Sequence, residues 1–557
     1  MAFTRTLLTG IVAVLAVCVL CPLVVLFGKA FQDNDGHYVG LVHFSSYFST
    51  PALLGSITNT LYISIASTVI SVVLAFFFAY ALKRTNIKGK GFFASVALLP
   101  LFAPTMLHGI ALTYLFGNQG IVTTGFFGWL ADGFKLELYG PVGIIIAEVI
   151  YTFPQAYLIL AVSLAMADYN LYEAAETLGA GKLRKFFTVT IANIKYGLIS
   201  AAFVCFTMSF TDFGAPKVVG GQFNVLATDI YKQVIGQQNM AMGAVVGLIL
   251  TIPAILAFAV DRFITRKQSA TITAKSKPYR INDSKGRDAV YFIYCLVIAL
   301  MIMVLIGTVV FAAVVKVWPY DLSLTWDHFD FSNVAGEGME PLVNSVEVSL
   351  LTAVFGTIAT FVTAYMIEKT RQLRALRQIG YFLAILPLAL PGLVIGLAYV
   401  FFFNKPDNPL HFLYGTIWIL VLANIVHFFS VTFITATSAL KKLDKEFEMV
   451  SESMGIPLYK TFFKVTVPMS LPAILEIAVY YFINAMVTIS AVVFLYAPDL
   501  KLASVAIVNM DDAGDVAPAA AMSVLIVAIN LGVRGMFELS TRFLRKRTEQ
   551  WQKPTTM

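Results

Sequence analysis

The chain has 557 residues, 58% of them hydrophobic and 13% charged, with four cysteines and a formal net charge of +7. A mean hydropathy of +0.79 is too high for a soluble domain of this size and marks a polytopic membrane protein. The positive charge does not point to nucleic acid, because the basic residues gather at the ends of apolar runs, as membrane topology requires.

About twelve apolar stretches approach or exceed the roughly 20 residues that a helix needs to cross a bilayer. They are continuous, not alternating, which excludes a transmembrane barrel and makes the expected fold all-α. Span one, residues 7–27, is longer than a signal-peptide core and lacks a small-x-small cleavage site, so it reads as retained. Span two, 57–82, is stopped by Lys83, Arg84, Lys88 and Lys90, a cluster that marks the inner side. Span three, 91–116, holds Pro100 and Pro104 ahead of Gly109. Each proline removes a backbone donor, so a kinked or unwound helix is expected, serving either as a packing bend or as a hinge or substrate-facing backbone. The stretch Gly125–Leu130 reads as a short interfacial helix.

Span four, 140–165, carries Glu148, whose charge in mid-membrane is costly unless paired or hydrated. Either it is an acid packed within the bundle or it lines a pathway. Next comes a charged, small-residue-rich stretch that must lie outside the lipid. Asp168 opens it, Glu173-Ala174-Ala175 sit on a short amphipathic helix, and Gly179 suits a corner with φ > 0. Span five, 191–210, runs into Asp212, followed by Asp229. Both acids read as solvated loop groups or as contacts at a pathway mouth. Span six is 242–260, and the polar stretch 262–288 is expected to be a flexible linker between halves 1–261 and 289–557.

The second half repeats the plan, with spans at 289–315, 343–366, 379–403, 413–437, 470–494 and 519–538. Asn59-Thr60 and Ala79-Tyr80 recur as Asn344-Ser345 and Ala364-Tyr365; Pro100, Pro104 and Gly109 recur as Pro387, Pro391 and Gly396. Asn424 stands where the first half has Glu148. The polar loop returns 276 positions on, with Asp444, Glu452 and Gly455, before Pro468. The chain is therefore two copies of one plan. An even number of spans in each half sets both the same way up, about an axis along the membrane normal, with a pathway expected between them. With the loops taken as cytoplasmic, both termini are cytoplasmic too.

These loops resemble the E-A-A-x-x-x-G loop, ending near I-x-L-P, of ABC-importer permeases. The first copy matches through Glu173-Ala174-Ala175 and Gly179 but has Ala192 in place of the terminal proline. The second matches through Gly455, Val465 and Pro468, with Met449-Val450-Ser451 replacing the triplet. The resemblance implies two parallel-related six-helix halves of the type I importer permease kind in a bacterial inner membrane. It also implies a dimeric cytoplasmic ATPase docked on the loops and a periplasmic substrate-binding protein. The chain is similar over nearly its whole length to iron(III), thiamine, putrescine and 2-aminoethylphosphonate permeases. Phe210-Thr-Asp-Phe-Gly-Ala-Pro and Asn224-Val-Leu-Ala-Thr-Asp229 look most like the last of these. The expected function is thus a 2-aminoethylphosphonate permease. The alternatives are a ferric iron permease and, from another class, an ion-coupled secondary carrier.

No glycine-rich Lys-Ser/Thr loop is present, so the expected energy source is a partner's ATP. Neither metal-ligand spacing nor a nucleophile elbow appears; no cofactor, metal or enzymatic role is expected. Cys18, Cys21, Cys205 and Cys295 lie in apolar runs and read as packing residues. His108 and His427 read as packing groups within spans, with a ligand or gating role as the alternative.

Overall fold

A computed structural model of the chain describes residues 2–549 except 34–35, 131–132, 167, 266–278, 333, 335–337, 371–372 and 445. Among the described residues nine single helices are long and apolar enough to cross a membrane. They are span one (Arg5–Lys29), two (Pro51–Arg84), four (Pro141–Ala165), five (Lys182–Thr211), six (Met240–Asp261), seven (Lys285–Val314), eight (Glu340–Lys369), ten (Ile417–Lys441) and twelve (Val516–Thr541). Three further spans are bent pairs: three (Lys90–Phe102 with Thr105–Phe116), nine (Arg374–Ala389 with Gly392–Phe403) and eleven (Leu458–Met469 with Leu471–Val487). The expected twelve are reached when each pair counts as one.

The prolines of spans three and nine do more than kink them. The halves of span three meet at 103° and those of span nine at 114°. Pro100 and Pro387 each stand in a 3-10 turn, and Ala103 and Leu390, just before the second proline, are extended. A proline's ring excludes its predecessor from the helical region, so the extended residue is a direct product of the sequence. Helix restarts at Thr105 and Gly392, with Pro104 and Pro391 at the N-cap. The bend is thus the same device in both repeats.

Spans two and eight each bury a stripe of small polar residues. Ser56, Thr60, Ser64, Ser67 and Ser71 line one; Ser345, Ser349, Thr352 and Thr360 line the other. Small side chains let helices approach closely where lipid offers no hydrophobic drive, and their hydroxyls bond within the bundle. The Ser67 hydroxyl donates to Ser209 Oγ at 2.9 Å, and Ser71 meets Thr152 at 2.6 Å. The recurring Asn-Thr/Ser pair clamps a later segment in the same way in each repeat. Asn59 Nδ2 donates to the Asn224 carbonyl, and Thr60 Oγ1 accepts from Leu226 N. Asn344 Nδ2 donates to the Lys501 carbonyl, and Ser345 Oγ accepts from Ala503 N.

The described chain forms two compact units: 44–329 with 516–524, and 1–43 with 330–515 and 525–557. We call them the first-repeat and second-repeat units. They cut across the repeat boundary at 262–288, because span one and span seven are exchanged. Span one lies in the second-repeat unit, where Tyr399 Oη donates to the Cys18 carbonyl at 2.8 Å. Span seven lies in the first-repeat unit, where Tyr294 Oη donates to the Leu74 carbonyl at 2.8 Å and Phe292 packs on Phe93.

Two local expectations change. The Gly125–Leu130 stretch is not an interfacial helix but a turn, with Phe126 and Phe127 at φ 54° and 60°. After span seven the chain makes a two-stranded antiparallel hairpin, Val315–Val317 with Asp321–Leu324. Residues 266–278 of the expected linker, and the side chains of the basic C-terminal stretch 542–547, lie outside the described residues.

Candidate functional site

The two polar loops have the same construction, residue for residue at an offset of 276. Asp168 Oδ1 accepts from the Asn170 amide at 3.1 Å, and Asp444 Oδ1 accepts from the Glu446 amide at 3.1 Å. Each aspartate thus satisfies a free amide at the start of a short helix, Asn170–Thr177 or Glu446–Ser453. The helices end alike. Gly179 and Gly455 take φ of +73° and +67°, and the next residue's amide reaches back five positions, Ala180 to the Ala175 carbonyl and Ile456 to that of Ser451. This is the glycine-terminated C-cap, a conformation that strains most L-residues other than Asn. Nothing lies within 4 Å of a Cβ built at either glycine, so conformation alone selects it.

Beyond the corner each chain re-enters helix through a π-turn, Phe186–Ile191 and Phe462–Thr466. Phe186 packs against Phe76 and Tyr80; Phe462 packs against the counterparts Phe361 and Tyr365. The aromatic knuckle fixes the loop to its own unit through spans two and eight. The loops' outer faces are apolar and open. Leu178, Leu183 and Phe187 are 84%, 74% and 60% exposed, and their counterparts Met454, Tyr459 and Phe463 are exposed as well. Exposed apolar clusters at matched places mark a contact surface. The sequence reading fixed on the acids and glycines and passed over these six; the 276-residue offset applied to apolar positions finds them.

Of the other loop residues, Ala174 is exposed, Glu173 and Ala175 are half-buried, and Pro468 is exposed at the start of the bend in span eleven. The side chain of Glu452 lies outside the described residues.

The candidate pathway and hinge residues are scattered through the two units. Pro100, Pro104, Pro387 and Pro391 stand at the breaks already described. Just beyond each break a glycine admits a crossing segment. A Cβ on Gly109 would sit 2.7 Å from Val218 Cβ, and one on Gly396 would sit 2.8 Å from the Ala491 carbonyl oxygen. Glu148 is fully buried against Asp212 and Ser209, with both carboxyl oxygens outside strict hydrogen-bond geometry. Asn424, its counterpart, is equally buried. Both therefore occupy bundle interior. Asp212 is half-buried and accepts from the Ala215 amide at 2.9 Å, so it caps the turn after span five. Asp229 is not a solvated loop acid: it is 4% exposed, and burial raises its carboxyl to about 6. His108 is fully buried and His427 half-buried among neighbouring helices, and among the described residues no three His, Cys, Asp or Glu side chains cluster to hold a metal.

The loops and the bent spans stand within segments that match a family of transport components. Residues 67–270 and 352–546 each match the model of the binding-protein-dependent transport system inner membrane component. The chain is 27% identical to the ferric transport system permease protein FbpB of Actinobacillus pleuropneumoniae over 552 residues, 95% of this chain and 77% of that protein. It is 24% identical to the Fe(3+)-transport system permease protein FbpB 2 of Haemophilus influenzae, over 84% of this chain and 86% of the other. Among solved structures it matches a bacterial ABC transporter involved in alginate import at 16% identity, over 44% of this chain and 88% of that one. The TM-score there, 0.37, is too low to carry an argument.

Proposed function

Since the chain belongs to the family of binding-protein-dependent transport system inner membrane components, we propose that its two loops are where a dimeric cytoplasmic ATPase docks. Membership makes the chain a multi-pass permease subunit of an ABC importer, a transport subunit and not an enzyme, and it removes the ion-coupled carrier from consideration.

The observation that carries the docking proposal is the matched pair of exposed apolar triads, Leu178, Leu183 and Phe187 with Met454, Tyr459 and Phe463. Each triad stands on a loop tied to its spans by an Asp cap, a left-handed glycine and an aromatic knuckle. Docked on an ATPase dimer, such loops act as levers, and nucleotide-driven closure rocks the packed helices around the bent spans. Asp168, Glu173, Ala174, Ala175, Gly179, Asp444, Glu452, Gly455 and Pro468 shape these levers. This reading places the loops and both termini in the cytoplasm and has a periplasmic binding protein deliver the cargo. Cysteines introduced at Leu178 and Met454 should cross-link to an ATPase subunit; labelling of either from the outer face would overturn the reading.

For the cargo, the reading favoured here is ferric iron over 2-aminoethylphosphonate. The ferric permeases named above align over most of both chains, whereas the phosphonate expectation rested on two short stretches around Asp212 and Asp229. Those stretches are accounted for by turn capping and by packing on span two. Uptake of labelled iron should fail in cells lacking only this chain. Loss of 2-aminoethylphosphonate uptake with iron uptake intact would restore the phosphonate reading.

A further inference from the structure

At the loop end of each unit a single basic side chain joins the last turn of span two or span eight to the polar loop. In the first-repeat unit it is Arg84, 1% exposed, whose Nη2 donates to the Leu164 carbonyl at 2.7 Å. Its guanidinium stands 5.7 Å over the ring of Tyr172, on the loop helix, and 3.7 Å over Tyr279. In the second-repeat unit it is Lys369, whose Nζ donates to the Leu443 carbonyl at 3.1 Å and to Glu448 Oε2 at 3.3 Å. Arg84 and Lys369 are counterparts at the 285 offset of spans two and eight. Tyr172 and Glu448 are counterparts at the 276 offset of the loops. The same two positions therefore meet in both units although neither residue type is kept.

We infer that Arg84 and Lys369 are equivalent positioning residues, each setting the stiffness of one loop, by cation–π contact in the first-repeat unit and by an ion pair in the second. The inference rests on the docking role proposed for the loops. A guanidinium suits stacking because it is planar and weakly hydrated, and an ammonium suits a carboxylate as a point charge. The surroundings differ to match. Tyr279 covers Arg84 and also packs edge-on to Tyr169 and Tyr172, so solvent ions do not reach the contact. Lys369 and Glu448 instead line an open cavity of about 430 Å³, with Glu368, Arg377 and Lys441 on its wall. Glu448, 15% exposed, opens on that cavity, so its pairing with Lys369, itself 5% exposed, is weakened by salt more than the covered cation–π contact, though less than a pair at an open surface. The second loop is therefore the adjustable one and the first is fixed.

Hydrogen exchange of the full-length chain in detergent, without ATPase, tests this directly. Lys369→Met should speed exchange of amides 446–453 about tenfold and leave 170–177 unchanged; Arg84→Met should do the reverse. Glu448→Gln, on the loop itself, should reproduce Lys369→Met should that variant insert poorly, and the swap Lys369→Glu with Glu448→Lys should restore protection. Raising salt from about 0.05 to 1 M should loosen 446–453 alone. Unchanged exchange of 446–453 in both Lys369→Met and Glu448→Gln would overturn the inference, as would equal salt sensitivity of the two loops. In the reconstituted complex Lys369→Met should lower cargo moved per ATP hydrolysed several-fold. A permease with no ATP-dependent transport at all would sink the docking proposal while leaving the exchange result to stand or fall alone.

Discussion

The two loops are alike up to their knuckles and differ where they join their spans. The first continues from Lys182 to Thr211 as one helix, and the second turns by 78° between Met469 and Leu471. Pro468 and Pro472 stand in the second where the first has Ala192 and Tyr196. Each proline removes an amide from the ladder and crowds the carbonyl four residues earlier, and Ser470 between them has left the helical region with ψ near 4°. A straight connection passes a push along its axis, whereas a bent one redirects it. The comparison teaches that a duplicated chain keeps the exposed apolar triad and the glycine corner constant while varying the angle beyond them.

The largest effects should come from the surface the loops share. Leu183→Glu or Tyr459→Glu should each reduce ATP-dependent uptake by on the order of a hundredfold and remove ATPase from the purified complex, since each places an unpaired charge in an apolar interface. Unequal losses would show that the loops are not equivalent docking sites. Next come the corners. Gly179→Val and Gly455→Val force a β-branched residue into left-handed backbone at about 1–2 kcal/mol, enough to displace the lever and lower uptake about tenfold. Membrane insertion should be normal, and the Asn variants, which tolerate that conformation, should retain most activity because the space is open. Straightening the second loop with Pro468→Ala and Pro472→Tyr should cost uptake a few-fold and lengthen the distance between spin labels on either side of Ser470. No change in that distance would mean that packing, not proline, sets the bend.

The smallest effect is on stability. Burial raises the Asp229 carboxyl from 3.8 to about 6, so the folded state holds its proton more tightly than the unfolded chain does. The group therefore penalises the fold increasingly as pH rises from about 4 to above 6, by at most about 3 kcal/mol. Asp229→Asn should raise the melting temperature at pH 8 by on the order of 3 °C and leave that at pH 4 unchanged. A rise at both would point to packing instead of charge.

The spans were legible because continuous apolar runs leave a bilayer-sized helix few alternatives, and the loops because a polar segment between such runs must escape the lipid. The corner conformation at Gly179 and Gly455 was legible for a steric reason peculiar to glycine. Other features had no local signal. Pro100 and Pro104 announce a break, but its angle of 103° depends on what packs beyond it, here the segment crossing at Gly109. Asp229 looked like any loop acid, since burial is a property of the neighbours. Arg84 read as a topology marker, and only its position over Tyr172 and Tyr279 gives it a second role. Cargo was least legible, for no side chain among those discussed forms a site for iron or phosphonate.

The exchange of spans one and seven bears on how the protein is made. Span one leaves the ribosome well before span nine, for the Tyr399 hydroxyl that binds its Cys18 carbonyl lies 381 residues later. At roughly 5–20 residues per second, the helix waits on the order of 20–80 s in the membrane before its partners are synthesised. A polypeptide cut within 262–288 would leave each product short of one helix and holding another that belongs to its sibling. The two pieces would then have to be produced together, and the intact chain gains by the tether a simultaneity that separate subunits would owe to chance encounter.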